Sequence, residues 1–157
     1  MRLGFIGTGK IASSVITGVC TSKISFQKIL ISRRNKNIAQ KLKKRFRKVN
    51  IAKTNQEIVD KCNWIFLAVT PEVGEKILSK LKFRSNQKII SFISTINSAQ
   101  LKKIVKKKAK IIRALPLPPI SLRKGPVPIF PEPDIYSGSV RLESNPLKLL
   151  NTQEVPP

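Results

Sequence analysis

The sequence predicts a doubly wound α/β fold, a parallel sheet covered by helices on both faces, and three observations predict it. Short apolar runs alternate with segments whose apolar residues recur at helical spacing. The runs are close to continuously apolar, as in Ile65-Phe66-Leu67-Ala68-Val69, which marks strands buried on both faces. A glycine-rich turn of the form G-x-G-x-x-A, Gly7 to Ala12, stands between the first apolar run and the first helical segment. Alternation in this order gives right-handed crossovers and one sheet of about six strands with the first strand central.

The elements follow in order. Strands are expected over residues 2–6, 28–32, 49–51, 64–69, 88–94 and 110–115. Helices are expected between them, over 10–21, 36–46, 56–61, 71–81 and 98–107. Ile11, Val15, Ile16 and Val19 share one face of the first helix. Pro71 suits a helix start, where its missing N–H costs little, and Val73, Ile77 and Leu81 then repeat every four residues. Trp64, at the head of its strand, reads as a core or sheet-end anchor. Ten of the eleven prolines lie at or beyond Pro116, so regular helix is not expected there, and residues 124–130 suit one edge strand. Residues 1–131 are thus expected to form a dinucleotide-binding domain. Residues 132–157, without apolar periodicity, are expected to be an irregular Pro-rich tail.

The glycine turn carries most of the functional information. Gly7 can take the backbone angles of a tight turn, Gly9 has no side chain to block a pyrophosphate, and Ala12 lets the helix lie close on the strand. The free N–H groups of the helix N-terminus would then face phosphates, assisted by the helix dipole. Alone the motif is weak; directly after a strand pattern and before a helix pattern it is specific.

Composition excludes several classes. There is no His, so neither imidazole catalysis nor a His-ligated metal comes from these residues, and no metal site is expected. No apolar run approaches the ~20 residues of a membrane span, so no membrane partner is expected. Cys20 and Cys62 are too few and too far apart for a zinc knuckle or a CxxC pair, and read as small thiols in a reducing cytoplasm. The net charge of +23 is concentrated in residues 1–131, which hold 29 Lys/Arg against 4 Asp/Glu. The runs Lys41 to Arg45 and Lys102 to Lys108 place apolar residues at helical spacing among the lysines, which assigns the lysines to solvated faces. No aromatic residues alternate with them as a base-stacking platform would need, so no specific nucleic-acid partner is expected.

The second strand ends in Ser32-Arg33-Arg34-Asn35, where an NAD site usually has Asp or Glu for the ribose 2′-hydroxyl. Ser32 can hydrogen-bond a 2′-phosphate, and Arg33 and Arg34 can pair with its charge or stack on adenine. NADP (NADPH) is therefore favoured over NAD; the alternative is a basic turn in a basic protein.

At this point a family likeness is evident. Gly4 to Ala12, then Ser32-Arg33, Asn55, and Phe66 to Pro71 resemble the N-terminal domain of pyrroline-5-carboxylate reductase. Ile111 to Pro119 resembles that family's strand leading into a Pro-rich turn, with Gly125 and Pro126 where the family has a glycine before its last strand. The resemblance covers residues 1–131 and implies a Rossmann fold and reduction of the imine 1-pyrroline-5-carboxylate to L-proline. By position it implies cofactor contacts at Ile6, Gly7, Thr8, Gly9, Lys10 and Ile11 on the pyrophosphate. It implies Ser32 and Arg33 at the adenosine ribose or its 2′-phosphate, Asn55 on the cofactor, and Ala68, Val69, Thr70 and Pro71 between the riboses. Phe92, Ile93 and Ser94 would stand beside the nicotinamide.

The sequence departs from the family pattern in three places. Thr70 replaces a common lysine; Ile93, Ser94 and Thr95 replace an Ala-Ala-Gly type stretch, which predicts a narrower or differently shaped nicotinamide pocket; Leu117 and Pro118 replace an Asn-Thr pair. The family's second, helical domain, through which its members oligomerise, has no counterpart in these residues. Tyr136-Ser137-Gly138-Ser139 has only a superficial likeness to its Ser/Gly-rich segment. The chain is expected to be the cofactor half of such a reductase. The other readings are a related NADP-dependent oxidoreductase acting on another small substrate or a deazaflavin, a non-catalytic NADP-binding module, and a basic nucleic-acid binder.

Overall fold

A computed structural model of the chain describes residues 1–105, 109–124, 127–130 and 152–154. Six strands and five helices alternate, from β1 (Arg2–Ile6), α1 (Lys10–Cys20), β2 (Lys28–Ile31), α2 (Lys36–Arg45) and β3 (Val49–Ile51) to α3 (Asn55–Lys61), β4 (Trp64–Leu67), α4 (Pro71–Leu78), β5 (Lys88–Ser91), α5 (Ser98–Val105) and β6 (Lys110–Ala114). A 3-10 turn (Pro118–Leu122) then leads to β7 (Val127–Phe130) and β8 (Thr152–Glu154). The strands lie in the order β3-β2-β1-β4-β5-β6-β7-β8. The first six are parallel, β7 is antiparallel to β6, and β8 is parallel to β7. The doubly wound sheet read from the sequence is therefore present, with β1 inside it and the direction of winding reversing between β1 and β4.

Strand alternation sorts the core into two layers. Leu3 and Phe5 of β1, Trp64 and Phe66 of β4 and Ile112 of β6 face Ala12, Val15, Ile16 and Val19 of α1, Ala39 and Leu42 of α2, and Ile120 of the 3-10 turn. Phe5 and Phe66 stack with ring centroids 4.4 Å apart and an interplanar angle of 4°. Ile6, Ile65, Leu67, Ile89 and Ile111 point the other way, onto Ile58 and Val59 of α3, Leu78 of α4 and Leu101 and Val105 of α5. α1, α2 and α5 thus bury the face their apolar spacing predicts, whereas α4 buries Gly74 and Leu78 and leaves Val73, Ile77 and Leu81 half-buried. The α2 lysines Lys36, Lys41, Lys43 and Lys44 are exposed while Leu42 is buried, which makes them a solvated face. Trp64 is buried at the head of β4, with the Lys88 ammonium 4.5 Å from its ring centroid. Gln87 ties α3 to the start of β5 on the second face. Its buried amide donates to the carbonyls of Val59 and Cys62 and accepts from the Arg84 N–H at 2.7 Å.

The strands end earlier than the apolar runs do, and the reason is the turn after β1. Pairing with β4 stops at Ile6 and Leu67, because Gly7 leaves the strand at φ +102°. Ser32, Ala68-Val69 and Phe92 to Ser94 lie just beyond the strands, at the carboxyl edge of the sheet. α4 closes at Leu78 rather than residue 81 because Lys80 and Leu81 donate to Ile77 and Leu78, three residues back, tightening the last turn.

Beyond Pro116 two features depart from expectation. Pro118 and Pro119 open a 3-10 turn, which tolerates proline at its first positions, and Ile120 fills the core against α1. Thr152–Glu154, expected within an irregular tail, adds a strand to β7, so β7 is not the edge. Parallel edge pairing is made by backbone groups and needs no apolar alternation, so composition did not signal it. Lys106, Lys107, Lys108, Gly125, Pro126 and Tyr136, Ser137, Gly138 and Ser139 lie outside the described residues, as does the rest of the expected tail. No helix among the described residues is long and apolar enough to cross a membrane, and no group of three or more His, Cys, Asp or Glu among them could hold a metal ion.

Candidate cofactor-binding site

The carboxyl edge beside β1 carries a crevice with two lobes that share Gly7, Arg34 and Val69. The larger, of about 540 Å³, runs over Gly7, Thr8 and Gly9 toward the α2 N-terminus on one side and Ala68 to Thr70 on the other. The smaller, of about 320 Å³, continues past Ser32 and Arg33 to Lys53, Thr54 and Asn55 at the end of β3.

The two glycines of the turn do different work. At Gly7 the backbone sits at φ +102°, and a Cβ would overlap the Ala68 carbonyl oxygen, so the fold itself requires glycine. At Gly9, the α1 N-cap, φ is −80° and ψ −171°, angles any residue adopts, and a Cβ would meet no heavy atom within 4 Å. Packing does not require glycine there, and its bare backbone leaves room for a ligand to pass close over the helix N-terminus. The first intrahelical bond runs from Ser13 N to the Gly9 carbonyl at 3.0 Å, so the N–H groups of Lys10, Ile11 and Ala12 have no acceptor within the helix. No acidic side chain occupies the first turn of α1 to satisfy them, and the helix dipole adds positive potential at that end. The arrangement fits a phosphate or pyrophosphate.

Ser32 meets this turn from β2. The Gly7 N–H donates to Ser32 Oγ at 2.9 Å, and Thr8 Oγ1 donates to the Ser32 carbonyl at 3.1 Å. Both residues are buried. Ser32 therefore turns its hydroxyl into the glycine turn, while Arg33 and Arg34, both exposed, stand at the mouth.

The second end of the crevice is strongly cationic. Asn35 caps α2 by accepting from the Ile38 N–H at 3.3 Å, which sets Lys36 beside Arg34 at the rim. Thr54 caps α3 by accepting from Glu57 N at 3.1 Å, and Glu57 reaches back to accept from Lys53 N at 2.7 Å. Glu57 also pairs with Lys61 at 2.7 Å, and these bonds, the Lys61 one first, hold its carboxyl below the usual range. Among the described residues neither Glu57 nor any other Asp or Glu lines either lobe, so Arg33, Arg34, Lys36 and Lys53 face the crevice without an opposing acid from them.

Most of the residues read from the sequence meet here: Ile6, Gly7, Thr8, Gly9, Ser32, Arg33, Arg34, Asn55, Ala68, Val69 and Thr70 all line one lobe or both. Lys10 and Ile11 follow in the first turn of α1, and Pro71 opens α4 directly after Thr70. Ser94 is not among the lining residues; it is exposed beyond β5, and its carbonyl accepts from Arg113 Nη2 at 2.9 Å. Ile93, expected to narrow or reshape the nicotinamide pocket, takes another place. It is buried, with its Cδ1 toward Gly74 of α4, so its bulk fills the core beneath the sheet edge. Lys36 and Lys53 are the additions the sequence reading missed. The available signal was their position, each just after a strand end (β2 and β3) that the 3-2-1 order places side by side.

Residues 2–98 match the model of the family described as NADP oxidoreductase coenzyme F420-dependent. The chain belongs to that family. Among relatives it is 29% identical over 128 residues to pyrroline-5-carboxylate reductase 3 of Danio rerio, covering 80% of this chain and 44% of that protein. The chain thus spans about half the length of the relatives it matches. Its fold superposes on 1-pyrroline-5-carboxylate reductase from Streptococcus pyogenes with a TM-score of 0.81 and 23% identity, over 99% of this chain and 58% of that one. The Plasmodium falciparum pyrroline carboxylate reductase with NADP bound gives 0.81 at 20% identity with the same coverage. At such identities the structures bear on the fold, a Rossmann-type sheet. The family membership makes the chain part of a pyridine-nucleotide oxidoreductase and agrees with the likeness to pyrroline-5-carboxylate reductases read from its motifs.

Proposed function

We propose that this chain binds NADPH and serves reduction of a small imine, 1-pyrroline-5-carboxylate, to L-proline. The observation that carries the cofactor assignment is the crevice itself: the helix N-terminus over Gly9 suits the pyrophosphate, and the acid-free cluster of Arg33, Arg34, Lys36 and Lys53 suits a 2′-phosphate. When bound, the nucleotide supplies hydride from the nicotinamide. The residues of the chain bind and orient it. Lys10, Ile11 and Ala12 present backbone donors, the arginines neutralise phosphate, and Ala68 to Pro71 form the opposite wall. Such chemistry asks little of acid–base side chains here, since orientation of donor and acceptor supplies most of the effect. The substrate assignment is supported by relatives named as pyrroline-5-carboxylate reductases.

Titration with NADPH and NADH tests the cofactor. Wild type is expected to prefer NADPH, and Arg33→Ala with Arg34→Ala to bring the two affinities together, a loss of about 1.5–3 kcal/mol per charge-assisted bond. Equal affinities in all variants would refute the NADP assignment. For the substrate, NADPH oxidation with 1-pyrroline-5-carboxylate is followed with the chain alone and with an added helical half from a relative. Weak turnover that the added half raises is expected, because the chain spans less than half of the Danio rerio protein. A second reading, hydride transfer with a deazaflavin or another small acceptor, is favoured by the family's description and by the exposed Leu117 where a polar pair was expected. Turnover of coenzyme F420 but not of the imine would establish it.

A further inference from the structure

We infer that Ser32 and Thr8 form a clamp that positions the glycine turn, so that Ser32 sets affinity through the pyrophosphate end of the cofactor and not through the 2′-phosphate. The inference rests on the dinucleotide reading above. Gly7 lies just past the last paired residues of β1, Phe5 and Ile6, where the chain turns off at φ +102°, and its N–H bonds a side chain in place of a strand carbonyl. Buried there, the donor would be costly to leave unpaired. Ser32 Oγ accepts it at 2.9 Å, and Thr8 Oγ1 returns a bond to the Ser32 carbonyl at 3.1 Å. The Ser32 N–H in turn donates to the Phe5 carbonyl at 3.0 Å, fixing Ser32 to β1. Two hydroxyl residues, 5% and 2% exposed, thus join residues 25 apart in sequence, with the Ser32 oxygen engaged by the Gly7 N–H. Rotation of the first peptide of the turn would swing Gly9 and the donors of Lys10 and Ile11 away from a phosphate. Discrimination at the 2′ position is left to the exposed Arg33 and Arg34. Ser32 is a positioning residue.

Two probes separate the roles. NADH reaches the glycine turn but has no 2′-phosphate; adenosine 2′-monophosphate carries the 2′-phosphate but no pyrophosphate. Ser32→Ala should weaken NADH about tenfold, the effect of one lost hydrogen bond, and leave adenosine 2′-monophosphate within about twofold. Arg33→Ala should do the reverse. Hydrogen exchange of the ligand-free protein should show the Gly7 amide losing protection in Ser32→Ala while the amides of Leu3 and Phe5 keep theirs. Thr8→Val, which deletes only the returning donor, gives the same pattern and replaces Ser32→Ala if that variant does not fold. The inference is overturned if Ser32→Ala weakens the 2′-monophosphate and spares NADH, weakens both equally, weakens neither, or leaves Gly7 protected. A wild type that binds neither probe overturns the cofactor reading itself, a result distinct from any of these.

Discussion

Replacing Gly9 with valine should separate folding from binding, because the structure gives this residue no packing role. Its backbone angles are open to any side chain, and a Cβ finds no heavy atom within 4 Å. Valine is a poorer N-cap than glycine, which costs up to about 1 kcal/mol and lowers Tm by roughly 2–4 °C. Binding responds differently. The valine side chain would occupy the space over the N–H groups of Lys10 and Ile11, and losing two charge-assisted bonds of about 1.5–3 kcal/mol each weakens NADPH roughly 10²- to 10⁴-fold. Gly7→Ala provides the contrast. Its φ of +102° and the overlap with the Ala68 carbonyl make it a folding position, with a cost of roughly 2–3 kcal/mol and a Tm drop of roughly 4–12 °C. Thermal denaturation without ligand and fluorescence titration with NADPH read the two effects independently. The reasoning is refuted if Gly9→Val binds NADPH within threefold of wild type, or if it loses as much Tm as Gly7→Ala.

Three other outcomes are expected. Gln87→Leu removes two buried hydrogen bonds and one part-buried one and leaves the Val59 carbonyl and the Arg84 N–H without that partner; urea unfolding should show a loss of about 2–4 kcal/mol with NADPH affinity unchanged. Burial pushes the thiols of Cys20 and Cys62 from 9.0 up to about 11, so at pH 8 both should resist iodoacetamide until urea is added. Because the folded state holds those protons longer than the unfolded chain, stability should fall as pH rises from 9 toward 11, less steeply in Cys62→Ala. Glu57 has the opposite sign: its lowered carboxyl stabilises the α3 N-terminus above 4.5 and the effect is lost as pH falls below that value. Amide exchange at Lys53 should report the loss, and Glu57→Gln should remove the pH dependence.

What the sequence made legible is what the backbone demands. Strands buried on two faces need continuous apolar runs, helices on a sheet need a 3.6-residue stripe, and a sharp turn at φ +102° needs glycine; β1 to β6 and the crevice edge follow from these rules. Less legible were features set by tertiary contact. Pro118 and Pro119 read as helix breakers, yet they begin the 3-10 turn that seats Ile120 against α1. β8 pairs through its backbone and carries no side-chain pattern. The direction of a serine hydroxyl is chosen by its neighbours, so the bond from the Gly7 N–H to Ser32 Oγ was not legible at a strand end. Ile93 read as a pocket residue because spacing alone cannot tell which side of a strand end a side chain takes.

The same distinction explains why cofactor binding and substrate choice should come apart in this chain. The phosphate end of the crevice is built from backbone donors, two glycines and a cluster of cations held by the caps of α2 and α3, all within Ile6 to Asn55. Those elements form a continuous parallel ladder, β3-β2-β1, whose geometry does not depend on what lies at the far end. The positions expected near the reacting carbon behave differently. Ser94 and Leu117 are exposed beyond β5 and β6, and the bulk of Ile93 is committed to the core. Exposed side chains orient a small imine poorly, and orientation is worth up to ~7–11 kcal/mol of a bimolecular barrier. On the proposed reading, grip on the phosphates belongs to Ile6 to Asn55 with Ala68 to Thr70 as the facing wall, and rate to whatever covers the ends of β5 and β6.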